Sequence, residues 1–586
     1  MSSTYVHYGT PSSLPSDYAI LARYAARNPD QTDDTPQPNA QLDHPGQDDD
    51  DDDDDYHPSP PRRTSFPTEY LRPVPPAAPS TIPEGLKNIV PTEYTPLLVP
   101  RIEEEDAAGS TESHPSNWMH TYLDELKILL KYTIPVFGTH LLEYSLVIAS
   151  VISIGHLSTT ALAAATLGSM TASVTGYSII QGFSSTLDTM LPSAWTSSNP
   201  RLVGLWSQRM TVVITVTLLP VFLMWFNSEA ILLLLRQDAD VAYLAALYLK
   251  YASIGLPAYA FNCISRRYFQ SQGLFSVPTQ IIMVVAPINA ALNYLLVWGP
   301  KPFGLGFIGA PLASSISFNL VSLASVFYGI VFVPKTAWHP FSRKSFTGLG
   351  VLVQLGLSGV GQTASEWWSW ELVGLAASLL SPIALATQSV LLVSASTTFQ
   401  APFALSVAAS VRIGNLLGEK NAFRAGVSAK MSMVLALFFA SISSTLFLTF
   451  RNSWGYIFND DPAVITLVAA ILPIVGLFQV FDGLSAVTGG ILRARGKQFT
   501  GALINLSAYY VIGIPFGIWL AFKRDMGLHG LWIGLTVSLV YAAVAGIYLT
   551  LVTDWNKEVR KVMERLEIED SGKAGGDVEA RPGPSH

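Results

Sequence analysis

The sequence predicts an all-α integral membrane protein with twelve transmembrane helices that form two pseudo-symmetric six-helix bundles. Three observations support this fold class. Of the 586 residues, 49% are hydrophobic and only 13% are charged, which is too apolar for an ordinary soluble protein. Twelve stretches approach the length of about 20 apolar residues that a helix needs to cross a bilayer. The second half of the chain also resembles the first at a fixed spacing.

Residues 1–120 are predicted to form a disordered acidic tail in the cytosol. They contain many prolines and the unbroken acidic run Asp48–Asp55. Residues 1–117 carry 21 acidic and 7 basic side chains, a net charge of −14, so the rest of the chain contributes +6 to the total of −8. Such a segment cannot bury enough apolar surface to offset the entropy of folding. No cleavable secretory signal is expected at its start.

Apolar stretches place one bundle in residues 121–340 and the other in residues 341–555. The predicted helices span residues 128–154, 161–191, 209–226, 241–264, 276–298, 308–333, 348–380, 383–411, 430–450, 463–489, 500–522 and 528–553. Residues 556–586 are predicted to be a cytosolic C-terminal tail.

Basic residues between the predicted helices orient the protein in the membrane. When the N-terminal tail lies in the cytosol, the cytosolic loops hold 14 lysines and arginines. The opposite loops hold five, accompanied by acids such as Asp238 and Asp461. Because cytosolic loops of membrane proteins are enriched in Lys and Arg, we expect both termini to be cytosolic.

The internal resemblance indicates a duplication of six helices. Ala161–Leu167 opens the second predicted helix and resembles Ala384–Val390, which opens the eighth. The loops after the fourth and tenth helices contain Gly273 and Gly496, and these two glycines are separated by the same length of chain as Ala161 and Ala384. Because six is an even number, the two halves cross the membrane in the same orientation. Two such bundles enclose a cleft in which transporters of this design bind substrate.

Two carboxylates interrupt the seventh predicted helix, in the run Glu366–Glu371 with the sequence EWWSWE. Placing one carboxylate at the centre of a bilayer costs about 2.5 to 3.5 kcal/mol on insertion scales. Two within six residues therefore indicate a polar cavity, an ion pair or a proton site, which favours a transporter. The alternative is that both carboxylates only satisfy neighbouring helices.

That run, together with Val411–Gly418 (VRIGNLLG) and Gly489–Arg493 (GGILR), resembles the eukaryotic, fungal-type branch of the multidrug and toxic compound extrusion (MATE) family. The resemblance covers about residues 125–553, and VRIGNLLG is its most specific stretch. It implies secondary active antiport. An organic cation or xenobiotic would leave the cytosol while protons, or sodium in some members, flow the other way.

The resemblance also implies which side chains couple transport to the ion gradient. Glu366 matches the acidic position of the family's seventh helix, and Asp482 matches that of the tenth. Ser150 occupies the place of the aspartate that bacterial members use in the first helix, so coupling is not expected there. Val393 stands where animal members carry a further glutamate, so either fewer protons move in each cycle or the remaining acids, Glu366 and Asp482, suffice.

Three further acids are weaker candidates. Glu371 lies about 140° around the helix from Glu366, so the two cannot face one cavity equally unless the helix bends. Glu143 lies two turns before Ser150 and is either a replacement acid in the first bundle or the partner of a neighbouring polar group. Asp188 lies near the cytosolic end of the second helix, where a cap or a contact to an arginine is favoured over ion coupling.

Aromatic and amide side chains near these acids are candidates for the substrate cavity. Trp367 and Trp370 could attract a cation through their ring faces, although aromatic rings in membrane bundles often only pack. Trp370 is favoured because it shares a helical face with Glu366. Gln388, in the eighth helix, is the third candidate.

The function predicted from these residues is export of organic cations or xenobiotics in exchange for protons, with sodium as the other coupling ion. One alternative is a flippase or exporter of a lipid-linked or metabolite substrate, whose cleft would be expected to carry basic residues. A membrane-embedded enzyme would need a catalytic histidine or acid pair at the interface, which is not apparent. No glycine-rich phosphate loop with a lysine is present, which argues against ATP-driven pumping, and the protein is not expected to be an enzyme.

The tail adds an expectation about location and partners. Glu93, followed by Leu97 and Leu98, fits an acidic dileucine sorting pattern that an adaptor protein could bind. This pattern favours the vacuolar membrane over the plasma membrane. The other expected partners are small cationic substrates and membrane lipids. We expect a monomer without a cofactor, a metal ion or nucleic acid, and the single cysteine, Cys263, excludes an intramolecular disulfide.

Overall fold

The computed structural model describes residues 118–155, 157–235, 237–300, 302–458 and 461–578. Nearly all of this part of the chain is helical. Most of the predicted acidic tail, including the sorting pattern of Glu93, Leu97 and Leu98, lies outside the described residues.

Twelve long helical segments confirm the predicted fold class, because each predicted span coincides with one of them. Their bounds are α1 Trp118–Gly155; α2, which runs as Thr159–Ala172, Ser173–Tyr177, Ser178–Ser184 and Leu187–Trp195; α3 Leu202–Phe226; α4 Ala239–Ser271; α5 Ser276–Trp298; α6 Gly306–Val331; α7 Leu349–Leu380; α8 Pro382–Gly418; α9 Ala422–Ile457; α10 Pro462–Ala494; α11 Gln498–Lys523; and α12 Gly527–Leu551. Within the described residues, nine of the twelve are long and apolar enough to cross a membrane by length and composition alone. A short helix, Ser228–Leu234, joins α3 to α4, and a helix α13, Trp555–Val578, follows α12.

The duplication is visible in local structure as well as in sequence. The hydroxyl of Ser158 accepts a hydrogen bond of 3.0 Å from a backbone N–H in the first turn of α2. The hydroxyl of Ser381, at the equivalent place in the second half, does the same for α8 at 3.0 Å. Gly273 and Gly496, which share that spacing, end α4 and α10 with φ angles of 79° and 68°, a conformation that glycine adopts without steric cost. Helices α1–α6 and α7–α12 are therefore two copies of one bundle.

The two bundles pack tightly at the end where α1 begins and α12 ends, which we call the closed end. Helices α2 and α7 cross there at Gly182 and Gly359, where a Cβ added to Gly359 would overlap the carbonyl oxygen of Gly182. Nearer to the end of the bundles, Thr196 Oγ1 on α2 donates a hydrogen bond of 2.8 Å to the carbonyl oxygen of Asn415 on α8. These contacts leave no solvent-sized gap between the backbones at the crossing of α2 and α7.

The residues predicted to form a C-terminal tail begin with helix α13, which packs on the closed end. Glu558 is buried, and its Oε1 lies 3.5 Å from basic nitrogens of both Arg495 and Lys497 in the turn between α10 and α11. From the next turns of α13, Arg565 donates a hydrogen bond of 2.7 Å to Ser193 Oγ on α2. Helix α13 therefore contacts both bundles.

Replacing Glu558 with glutamine is expected to loosen α13, because buried Arg495 would lose its counter-charge. Removing one partner from a buried ion pair costs about 3 to 5 kcal/mol, and the partial exposure of Lys497 reduces that figure. Hydrogen exchange in a peptide covering residues 555–566 should be faster in Glu558→Gln than in the parent protein. Glu564→Gln is the matched control, because Glu564 lies on the same helix but is exposed. Equal exchange in both variants would contradict this role for Glu558.

Candidate functional site

A cavity in the second bundle contains both principal acids predicted from the sequence. Glu366 from α7 and Asp482 from α10 line it together, although they lie far apart in the chain. The cavity measures about 530 Å³, open solvent included. Its other polar lining residues include Ser485, Asn505 and Tyr509, and the last of these comes from α11.

Interhelical hydrogen bonds hold the helices that carry the two acids. The phenol of Tyr510 on α11 donates 2.8 Å to the carbonyl oxygen of Ser365, one residue before the glutamate on α7. The amide of Gln479 on α10, three residues before the aspartate, donates 3.1 Å to the carbonyl oxygen of Ala395 on α8. Both acids therefore project from helices whose backbones are fixed to neighbours, which limits their freedom to turn towards lipid.

The surroundings of the two carboxylates suit a site that exchanges one cation for another. Asp482 is 9% exposed and Glu366 is half-buried. No lysine, arginine or histidine is among the described lining residues, but Arg493, next to the lining residue Leu492, is close enough to interact with Glu366. A buried carboxylate must bind a proton, a cation or a strong hydrogen-bond donor to be tolerated. The cavity can therefore hold protons on its acids or an external cation beside them.

The predicted aromatic and amide residues lie in packed regions beside this cavity. The Trp370 ring centroid lies 5.6 Å from that of Phe478 and 6.0 Å from that of Trp532, in an aromatic cluster. Gln388 is fully buried and accepts a hydrogen bond of 2.8 Å from the indole of Trp532. Trp367 is buried in an apolar core. None of the three predicted residues is among the described lining residues, so their contact with substrate stays a prediction.

Glu371 and Asp188 do not lie with the acid pair. Helix α7 runs without interruption through Glu371, which is not among the described residues lining the cavity. Asp188 Oδ1 accepts a hydrogen bond of 2.8 Å from Arg267 Nε of its own bundle, and its Oδ2 lies 3.7 Å from Arg493 Nε of the other. This arrangement fits the arginine contact that the sequence favoured for Asp188.

The first bundle contains a second cavity, in which Glu143 is paired with a base. This cavity measures about 930 Å³, open solvent included, and Glu143, Ser150 and Arg266 are among its lining residues. The two Glu143 oxygens lie 2.8 and 3.0 Å from the guanidinium of Arg266, and His140 Nδ1 lies 3.3 Å from Oε2. Of the two interpretations left open by the sequence, this geometry supports the paired carboxylate.

Replacing Glu143 with glutamine is expected to destabilise the folded protein. Arg266 would keep its charge without a counter-charge, at a cost below the value of about 3 to 5 kcal/mol for a fully buried pair, because both side chains are partly exposed. The midpoint of thermal unfolding in detergent, followed by size-exclusion chromatography, should fall in Glu143→Gln and recover in part when Arg266→Gln is added. If Glu143→Gln instead keeps its stability and loses the pH dependence of transport, Glu143 is a coupling acid.

Sequence reasoning missed two residues near the functional surfaces. Tyr509 lines the cavity of the acid pair, but a tyrosine in an apolar helix gives no signal of its own. Glu125 is fully buried at the closed end, yet it lies before the first predicted span, in a polar stretch that hydropathy does not assign to the membrane. The sequence signal for Glu125 was indirect and lay in the charge pattern. Two arginines follow the eighth predicted helix, and they need an acidic partner.

A twelve-helix membrane protein built from two repeated bundles, with intramembrane acids around a cavity in one of them, has the architecture of a secondary transporter. The family model MatE matches residues 135–295 in the first bundle and again residues 360–519 in the second, which together cover more than half of the chain. The chain therefore belongs to the multidrug and toxic compound extrusion family and is a multi-pass membrane protein.

Relatives with known sequences and structures place it in the eukaryotic branch. It is 36% identical to uncharacterized transporter C4B3.13 of Schizosaccharomyces pombe, over 83% of this chain and 91% of the relative. It is 32% identical to multidrug and toxin extrusion protein 1 of Homo sapiens, over 78% of this chain and 81% of the relative. Its fold is similar to the crystal structure of the eukaryotic MATE transporter AtDTX14, with a TM-score of 0.71 and 30% identity, over 76% of this chain and 100% of that one.

Proposed function

We propose that the protein exports organic cations or xenobiotics from the cytosol in exchange for protons. The observation that carries the proposal is the meeting of Glu366 and Asp482, from two different helices, in one cavity of the second bundle. When ionised, the two carboxylates attract a cationic substrate. When protonated, they release it, because the neutral acids no longer provide a counter-charge.

The two-bundle fold supplies the conformational change that exchange requires. Alternating access in repeat-built transporters is a rocking of one bundle against the other around a fixed site. The described structure is packed at the closed end, so the cleft between the bundles has no route through that end at the crossing of Gly182 and Gly359. Differential binding of protons and substrate to the two facing states drives the cycle.

The proposal includes an orientation and a location. The excess of basic residues in alternate loops supports a cytosolic closed end with both termini in the cytosol. Glu93, Leu97 and Leu98 support delivery to the vacuolar membrane, with the plasma membrane as the alternative. A tagged protein with Leu97→Ala and Leu98→Ala should leave the vacuole; a vacuolar signal that persists in the variant would contradict the sorting role of this pattern, and a parent protein found at the plasma membrane would contradict the location.

Uptake by reconstituted vesicles tests the proposed function. Purified protein is placed in vesicles with an acidic lumen, and accumulation of a fluorescent organic cation is followed from a more alkaline medium. We expect accumulation that collapses when a protonophore removes the gradient. Accumulation that depends on a sodium gradient instead would show that sodium, and not the proton, is the coupling ion. Accumulation with neither gradient would overturn the proposal.

A further inference from the structure

A buried ionic cluster joins the two bundles at the closed end. Glu125, on α1 of the first bundle, is 0% exposed. Arg412 on α8 donates two hydrogen bonds to its carboxylate, from Nε at 2.9 Å and from a terminal nitrogen at 2.7 Å. Arg424, near the start of α9, donates a third bond of 2.9 Å to Oε1. One carboxylate of the first bundle therefore holds two guanidinium groups of the second.

The cluster lies on helices that also pack closely where the bundles meet. Gly418, at the end of α8, leaves no room for a side chain against Ser193 of α2, and Thr196 bonds to the backbone of α8 alongside. Arg412 is buried, whereas Arg424 keeps about a quarter of its side chain exposed. Two-point hydrogen bonding between an arginine and a carboxylate is strong and fixes the geometry of the pair.

Other ionisable groups around the cluster leave its attraction in place. Glu419, which follows α8, is close enough to interact with both arginines, and Tyr132 of α1 lies near Arg412. Burial raises the pKa of the Glu419 carboxyl, and the two arginines oppose that rise. The two arginines thus face two acids, and only Glu125 belongs to the opposite bundle and makes direct hydrogen bonds.

Because Glu125 bonds across the two bundles, its contacts affect the equilibrium between facing states as well as the packing of the closed end. If the bundles rock to open the closed end, α1 must leave α8 and α9, so Glu125 must separate from both arginines. The three bonds would then exist in one facing state and be absent from the other. Their free energy enters directly into the equilibrium between the two states.

We propose that Glu125 is a positioning residue of the transport cycle, which holds the closed end shut through Arg412 and Arg424. The inference rests on the proposed alternation between two facing states, but not on the identity of the coupling ion or of the substrate. Removing the Glu125 carboxylate leaves two positive charges side by side, the buried one of Arg412 and the partly exposed one of Arg424. The closed state should then be disfavoured at least about tenfold relative to the open one.

Distances between spin labels test this inference without a transport assay. Labels are placed at Arg201→Cys, at the start of α3, and Val552→Cys, after α12, because both sites are exposed at the closed end of different bundles. The native Cys263 is buried, which limits background labelling. Glu125→Gln is expected to transfer population from the short distance to a longer one. Asp124→Asn, which removes the adjacent acid of the same helix, should leave the distribution as it is.

A charge reversal separates gating from a general structural role. In E125R/R412E, one carboxylate again lies between two guanidinium groups, so the short distance should return. In transport, Glu125→Gln should change kcat by severalfold with a smaller change in KM, and the reversed pair should restore kcat. A distance distribution of Glu125→Gln that matches the parent protein would overturn the proposal. So would a reversed pair that folds but stays as open as Glu125→Gln.

Discussion

Glu366→Gln and Asp482→Asn together are expected to reduce proton-driven accumulation of an organic cation to the level of empty vesicles. Each substitution keeps the size of the side chain but removes the group that exchanges a proton for a positive charge. A tenfold proton gradient supplies about 1.4 kcal/mol, so loss of coupling should remove at least about a tenfold accumulation ratio. The measurement is uptake by vesicles at matched protein content and matched pH gradient.

The control for this result is an acid outside the cavity. Glu229 is exposed in the short helix between α3 and α4, so Glu229→Gln should accumulate the cation as the parent protein does. Counterflow measures in parallel whether the double variant still exchanges labelled substrate for unlabelled substrate when no proton gradient is present. Full proton-driven accumulation by the double variant would show that coupling occurs elsewhere.

Gly359→Ala is expected to prevent closure of the two bundles and to lower the transport rate by about tenfold or more. The added methyl group would overlap the carbonyl oxygen of Gly182 and approach the hydroxyl of Ser185. Overpacking by one methyl group costs about 1 to 3 kcal/mol where the backbone cannot yield. Since this cost applies only when the closed end is packed, the substitution should shift the equilibrium towards the other facing state.

Gly361→Ala provides a matched control two residues further along the same helix. Among the described residues, no atom outside the neighbouring residues and backbone of its own helix lies within 4 Å of a Cβ added at Gly361, and the helix propensity changes in the same direction. Uptake rates and spin-label distances at the closed end should therefore change in Gly359→Ala and not in Gly361→Ala. Equal effects in the two variants would show that helix flexibility, rather than close packing, explains the result.

Hydropathy and repetition predicted the bundles because both depend on local sequence. The twelve spans follow from apolar length, and the Ser158 and Ser381 caps and the Gly273 and Gly496 turns occupy equivalent places in the two copies. The helices extend beyond several predicted ends, as at α1, which begins at Trp118 rather than at residue 128. Hydropathy cannot detect such polar extensions, because tertiary ion pairs stabilise them.

The sequence predicted those residues of the candidate site whose side chains have a high free-energy cost inside a membrane. Glu366 and Asp482 stand out because carboxylates are rare in apolar spans, and a family resemblance paired them. The pairing of Glu143 with Arg266 could not be derived from the sequence, since it depends on the crossing of α1 and α4. The contacts of α13 could not be predicted either, because its charged sequence does not distinguish a packed helix from an unstructured tail.

Proton release on substrate binding tests most directly whether the acid pair exchanges protons for cations. Purified protein in weakly buffered detergent solution is titrated with an organic cation while the pH is recorded. We expect release of about one proton or more per cation bound, and no release from protein carrying Glu366→Gln and Asp482→Asn. Binding without proton release, or equal release from the double variant, would contradict exchange at the acid pair.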